Sequence, residues 1–225
     1  MGTVTARLRP AALPFLGIAL PLFCFAVLAA RVSERRPFAW DLRVLHTLHG
    51  LERTLDLHPV RGAFFFVADF GLVVLALVLV PLLAARRRGA AAFYALCAAC
   101  VLAIDQPLKD AFRRPALIGF REHHAYIFPS GHAMGSMAVA ASLAYVAWPT
   151  RWRARALAAG SAFVLAVGVS VVVFGAHYPT DVLAGWCLAL AIVTALRLAL
   201  PRRLANPYDR TPSSSSDSRS SSESR

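Results

Sequence analysis

Long apolar runs separated by short basic or turn-rich breaks set the limits on what this chain can fold into. The first, Ala11–Ala30, is twenty residues without a charge. That is the length an α-helix needs to cross a hydrocarbon layer of roughly 30 Å. Five more follow at about Phe64–Ala85, Ala90–Leu108, Ala133–Pro149, Ala156–Ala176 and Val182–Leu200. A backbone in lipid must satisfy its own hydrogen bonds, so runs of this length and composition predict helices. The expected fold is all-α, a polytopic membrane helix bundle with about six transmembrane helices. Arg7 and Arg9 before the first run also fit a secretory signal. The run is longer than an ordinary signal core and others follow it, so a retained first helix is expected.

Composition narrows the class of partner. Apolar residues make up 58% of the chain and charged ones only 16%, yet the net charge is +12. The basic groups lie between apolar runs rather than along a polar face, which points to membrane surfaces and argues against nucleic acid. Arg86, Arg87 and Arg88 join runs two and three, and Arg151, Arg153 and Arg155 join runs four and five. With six spans these loops share a side with both termini, where Arg7, Arg9, Arg202 and Arg203 lie. The positive-inside rule makes that side cytoplasmic, which predicts an integral protein of the cell's inner (plasma) membrane. Cys24, Cys97, Cys100 and Cys187 all fall in apolar runs and read as small hydrophobes rather than a disulfide or metal framework.

Residues 1–205 are expected to form one membrane domain. Within it, residues 31–62 carry Trp40, Leu42, Leu45, Leu48, Leu51, Leu55 and Leu57 among charges, a spacing that predicts an amphipathic helix at the membrane interface. Residues 206–225 are rich in serine and arginine and too poor in apolar groups to fold, so a disordered tail is expected.

Three polar clusters fall at the ends of runs on the side opposite the arginine loops: Lys109–Pro115, Pro129–His132 and His177–Asp181. Ionisable groups at the ends of membrane helices are costly unless they are paired or used. Snorkelling explains a lone cation but not two histidines and an aspartate set in Gly, Pro and Ser turns. In Pro129-Ser130-Gly131-His132 a helix start would aim backbone N–H groups at an anion, with Gly131 permitting close approach and Ser130 adding a hydroxyl. The same residues also read as an ordinary cap. In His177-Tyr178-Pro179-Thr180-Asp181, a helix beginning at Pro179 would put Asp181 on the face of His177. There it could hold Nδ1–H and leave Nε2 as nucleophile or base; the plain alternative is a cap beside an exposed histidine.

In order and spacing these clusters resemble the type 2 phosphatidic acid phosphatase (PAP2) superfamily of membrane lipid phosphatases, over roughly Lys109–Trp186. Family members carry Lys-x6-Arg-Pro, then Pro-Ser-Gly-His, then Ser-Arg-x5-His-x3-Asp. Here the second motif is complete, and the third is complete from His177 to Asp181, followed by Val182-Leu183-Ala184-Gly185-Trp186. The resemblance implies a phosphohistidine enzyme with His177 as nucleophile, Asp181 as its orienting partner and His132 as general acid. Ser130, Gly131 and Lys109 would hold phosphoryl oxygens, with no metal and no cofactor. It also implies a lipid phosphate or diphosphate as substrate, met at the extracytoplasmic face. Independently, Lys109 is the single lysine among 24 basic side chains.

Two positions depart from the pattern. The first motif expects arginine at 116, where the chain has Ala116, and the third expects it at 171, where the chain has Val171. Charge-assisted hydrogen bonds contribute about 1.5–3 kcal/mol each, so two missing clamps would slow turnover. Arg113, Arg114, Arg121, His123 and His124 are the candidate replacements, with Arg114 expected to bind substrate; a solvated basic loop is the plain alternative. Three readings follow: a lipid phosphate phosphatase, a catalytically weakened relative that binds anionic headgroups or acts as a scaffold, and a lipid phosphotransferase. Oligomeric state is not legible in the sequence.

Overall fold

The computed structural model describes residues 12–35, 38–57, 59–65, 80–81, 84, 88–117 and 126–200. Helix α1 spans Ala12–Ser33. Its stretch Phe15–Ala19 is wound as a π-helix, and the Leu20 N–H reaches back to the Phe15 carbonyl. The cause is local: Pro21 offers no N–H to Gly17 and its ring crowds that carbonyl, so the turn ahead of it widens. Helix α2 is Ala39–Thr54, and α3 is Arg88–Phe112. Helix α4 is Gly131–Ala147, α5 is Arg153–Val173 and α6 is Pro179–Ala199.

Four of these helices, α1, α3, α5 and α6, are long and apolar enough to cross a membrane. Helix α4, with 17 residues, is slightly shorter. The run expected at Phe64–Ala85 lies mostly outside the described residues, and the arginines at 86 and 87 and the serine-rich tail lie wholly outside them. Large apolar side chains such as Phe23, Leu102, Leu165 and Leu198 face outward, as expected where lipid rather than water surrounds the bundle.

Helix α4 is the central post, packed against α3, α5 and α6, while α1 lies along α6. Phe93, Cys97 and Val101 of α3, one turn apart, meet Met134 and Ala138 of α4 and Ala189 and Val193 of α6 in the main core. Cys97 is thus a packing residue, and the four cysteines are free thiols. A second cluster joins Leu45 of α2 to Ala133, Val171, Val172, Ala176 and Val182 around the starts of α4 and α6.

Helix α2 packs on α5 and α6, and its inward stripe is not the leucine stripe alone. Asp41, Leu45 and Glu52 are its buried residues, whereas Leu42, Leu51 and Leu55 are exposed. Two acids are turned toward protein, which an apolar-periodicity argument cannot anticipate.

Candidate active site

The two motif turns meet at one end of the bundle because α4 and α6 both begin there. Ser130 is extended, and its Oγ accepts from the Ala133 N–H at 3.4 Å, leaving the first backbone donors of α4 directed outward. The Ser130 N–H donates to the Asp181 carbonyl at 3.1 Å, joining the motifs through backbone. Gly185 makes this approach feasible: a β-carbon there would lie 2.7 Å from the Ser130 carbonyl oxygen.

His177 is delivered by the turn that ends α5. Gly175 adopts φ +69°, and Gly175 and Ala176 N–H groups return to the Val172 and Val171 carbonyls at 3.0 and 2.9 Å. A left-handed residue closing a helix in this way favours glycine. The His49 ring covers it, 3.2 Å from where a β-carbon would project, and His49 Nδ1 also hydrogen-bonds the Val173 carbonyl at 3.0 Å. Pro179 then opens α6, leaving His177 two residues ahead of it.

The rings of His177 and His132 face each other with centroids 6.4 Å apart at 68°, and Phe65 packs edge-on against His132. His177 is buried, 7% exposed. Its Nδ1 lies 3.6 Å from Asp181 Oδ2, beyond hydrogen-bond length, and has no hydrogen-bond partner among the described residues. The direct Nδ1–H bond expected from the four-residue spacing is therefore open here. The reason is competition: Asp181 Oδ2 accepts the Tyr178 N–H at 2.9 Å, and Oδ1 accepts from Arg114.

Arg114 is the residue whose surroundings differ most from expectation. Its Nη1 donates to Asp181 Oδ1 at 2.5 Å and to Thr180 Oγ1 at 2.8 Å. Its Nη2 donates to Asp41 Oδ2 at 3.0 Å, and the guanidinium stacks 3.9 Å over the Tyr178 ring. Burial pushes the Tyr178 phenol up; Arg114 opposes this, and Asp181 and Asp41 add to it, so the ring beneath the cation is neutral. Asp41 and Asp181 are each 0% exposed. Both terminal nitrogens of the guanidinium are thus engaged by protein groups.

Lys109 Nζ donates to Asp105 Oδ2 at 2.7 Å, one turn back on α3. The Asp105 carboxylate abuts the start of α4, where a β-carbon on Gly131 would sit 2.8 Å from Oδ1. Glycine at 131 thus lets α3 bring a Lys–Asp pair against the helix start. Arg113 turns away: it has φ +48° and its Nε donates to the Asp110 carbonyl at 3.0 Å. Ala116 and Val171 are buried, Val171 within the second apolar cluster. Arg121, His123 and His124 lie outside the described residues. Among the described residues no three His, Cys, Asp or Glu side chains converge at metal-ligand spacing.

Sequence reasoning missed Asp41, Thr180 and Asp105. Asp105 had a readable signal, since it precedes Lys109 by four on a helix. Nothing in the sequence links Asp41 to Thr180, 139 residues away.

The PAP2 superfamily model matches residues 90–205. The fold is similar to the crystal structure of a transmembrane PAP2-type phosphatidylglycerolphosphate phosphatase from Bacillus subtilis, with TM-score 0.65 and 18% identity over 80% of this chain and 93% of that one. A search of curated proteins gives no match. With the family model covering half of the chain, including both histidine turns, this integral membrane protein belongs to the PAP2 superfamily.

Proposed function

We propose that this protein is a lipid phosphate or diphosphate phosphatase working through a phosphohistidine on His177. The observation that carries the reading is the pair of imidazoles with centroids 6.4 Å apart, set at the starts of two helices tied by the Ser130–Asp181 backbone bond. One phosphoryl group between them can touch both rings.

In the first step the His177 Nε2 lone pair attacks phosphorus, the N–P bond forms, and the P–O bond to the lipid breaks. His132 gives its proton to the departing oxygen, releasing the lipid alcohol or monophosphate. In the second step His132, now neutral, takes a proton from water as its oxygen attacks phosphorus. The N–P bond breaks, and inorganic phosphate and free His177 are restored. Lys109, the Ser130 hydroxyl and the N–H groups at the start of α4 hold the phosphoryl oxygens. Asp181 faces His177 Nδ1 and selects the tautomer with Nε2 available.

The basic starts of α3 and α5, Arg88, Arg153 and Arg155, lie at the opposite end of the bundle from the histidines. This supports a site on the extracytoplasmic face. Phosphatidate, phosphatidylglycerophosphate and polyprenyl diphosphate all fit the chemistry.

A weakened relative that binds anionic headgroups is the second reading. Its support is specific: Ala116 and Val171 are buried apolar residues, and Arg114 is committed to two carboxylates. Purified protein in detergent, offered a panel of lipid phosphates beside His177→Ala, separates the two. Phosphate release that vanishes with His177 supports the enzyme. Binding without release in the wild type supports the second reading.

A further inference from the structure

Helix α2 lies outside the residues matched by the family model, yet it supplies a fully buried charge at the site. Asp41 is 0% exposed. Its Oδ1 accepts the Thr180 N–H at 3.0 Å, and its Oδ2 accepts the Thr180 hydroxyl at 2.5 Å and Arg114 Nη2 at 3.0 Å. It therefore caps one of the orphan donors at the start of α6, and it grips the same guanidinium that holds Asp181.

One guanidinium between two buried carboxylates leaves the cluster one negative charge in excess. The nearest acceptor of positive charge is His177, whose Nδ1 lies 3.6 Å from Asp181 Oδ2. Among the described residues, Lys109 and Asp105, which abut the start of α4, form a pair of their own. His132 faces His177 from the other side.

We infer that Asp41 is a positioning residue for the His177 chemistry: through Arg114 and Thr180 it fixes the Asp181 carboxylate and keeps it from being fully neutralised. The inference rests on the phosphohistidine reading. As Nε2 bonds to phosphorus the imidazole becomes cationic, and an undercompensated Asp181 stabilises that charge as it forms. Without the Asp41 charge, Arg114 would bear wholly on Asp181, and the preference for the cationic ring would fall.

The test is rapid-quench measurement of phosphohistidine formation in full-length protein in detergent, for wild type, Asp41→Asn, Thr180→Val and Thr180→Ser, with dioleoyl phosphatidate as probe. Asp41→Asn keeps the size and one accepting oxygen but removes the charge. Its rate of phosphorylation per active site, and its kcat, should fall about tenfold or more with KM within about twofold, the pattern of an interaction made in the transition state. Thr180→Val should fall in the same direction, and Thr180→Ser, which retains the hydroxyl, should turn over faster than Thr180→Val. Counting active sites by the phosphoenzyme burst separates this from misfolding. A smaller burst with an unchanged rate per site overturns the inference, as does an unchanged Asp41→Asn rate. Wild-type turnover without phosphohistidine overturns the underlying reading and the inference with it.

Discussion

Replacing Arg114 by alanine would leave Asp41 and Asp181, both 0% exposed, without their shared counter-ion. The guanidinium donates to Asp181 at 2.5 Å, Thr180 at 2.8 Å and Asp41 at 3.0 Å, and its side chain is 10% exposed, so solvent cannot replace it cheaply. Removing one partner of such a buried pair costs about 3–5 kcal/mol, because the remaining charges stay desolvated. For a chain of 225 residues, at about 2–4 °C per kcal/mol, the apparent unfolding temperature should drop by about 6–20 °C. A thiol-reactive fluorogenic dye reports this directly, since Cys97 is free and buried in the main core. Arg114→Lys keeps the charge but not the two-pronged geometry, and should fall between wild type and alanine. A melting temperature within about 2 °C of wild type, under about 1 kcal/mol, accompanied by a raised KM for the lipid phosphate, would refute the bracing role. It would mean that the guanidinium serves the phosphate instead.

Gly185→Ala places a β-carbon 2.7 Å from the Ser130 carbonyl; it should cost about 1–3 kcal/mol in thermal stability and lower kcat by loosening the Ser130–Asp181 tie. Val171→Arg places an arginine, the residue the motif resemblance leads one to expect, at a position that is 0% exposed beside Leu45 and Val182. It should destabilise the protein by a few kcal/mol, on the order expected for a buried unpaired charge, and give no gain in phosphate release. Asp105→Asn frees Lys109 from its 2.7 Å ion pair, so inorganic phosphate should inhibit about tenfold more strongly, a change of about 1.4 kcal/mol read from product-inhibition curves.

The spans 12–33, 88–112, 153–173 and 179–199 were legible because apolar length alone decides them. The helix starts at Gly131 and Pro179 were legible because Ser-Gly and Pro are local signals whose meaning needs no tertiary contact. The surroundings of Arg114 were not. Counting from Lys109 says that an arginine is near the expected place, but what it touches depends on α2 folding over the end of α5 and the start of α6. Contacts 67 and 73 residues apart leave no trace in spacing. The same holds for α2 itself: its leucine spacing predicts an amphipathic helix at the interface, whereas Asp41 and Glu52 are its buried charges, paired with Arg114 and with His49 and Arg61. The Asp181–His177 geometry was half legible: spacing put both groups on one side of the turn, but not the Tyr178 N–H that claims Oδ2.

The central claim is that phosphate passes through His177. Acid labels would destroy the N–P bond, so wild type and His177→Ala should be quenched in alkali during turnover of a lipid phosphate and mapped by mass spectrometry. The expected result is one phosphoryl group on the His177 imidazole in wild type and neither phosphoenzyme nor phosphate release in His177→Ala. Phosphate release that continues in His177→Ala, or a phosphoryl group carried on another residue, would contradict it.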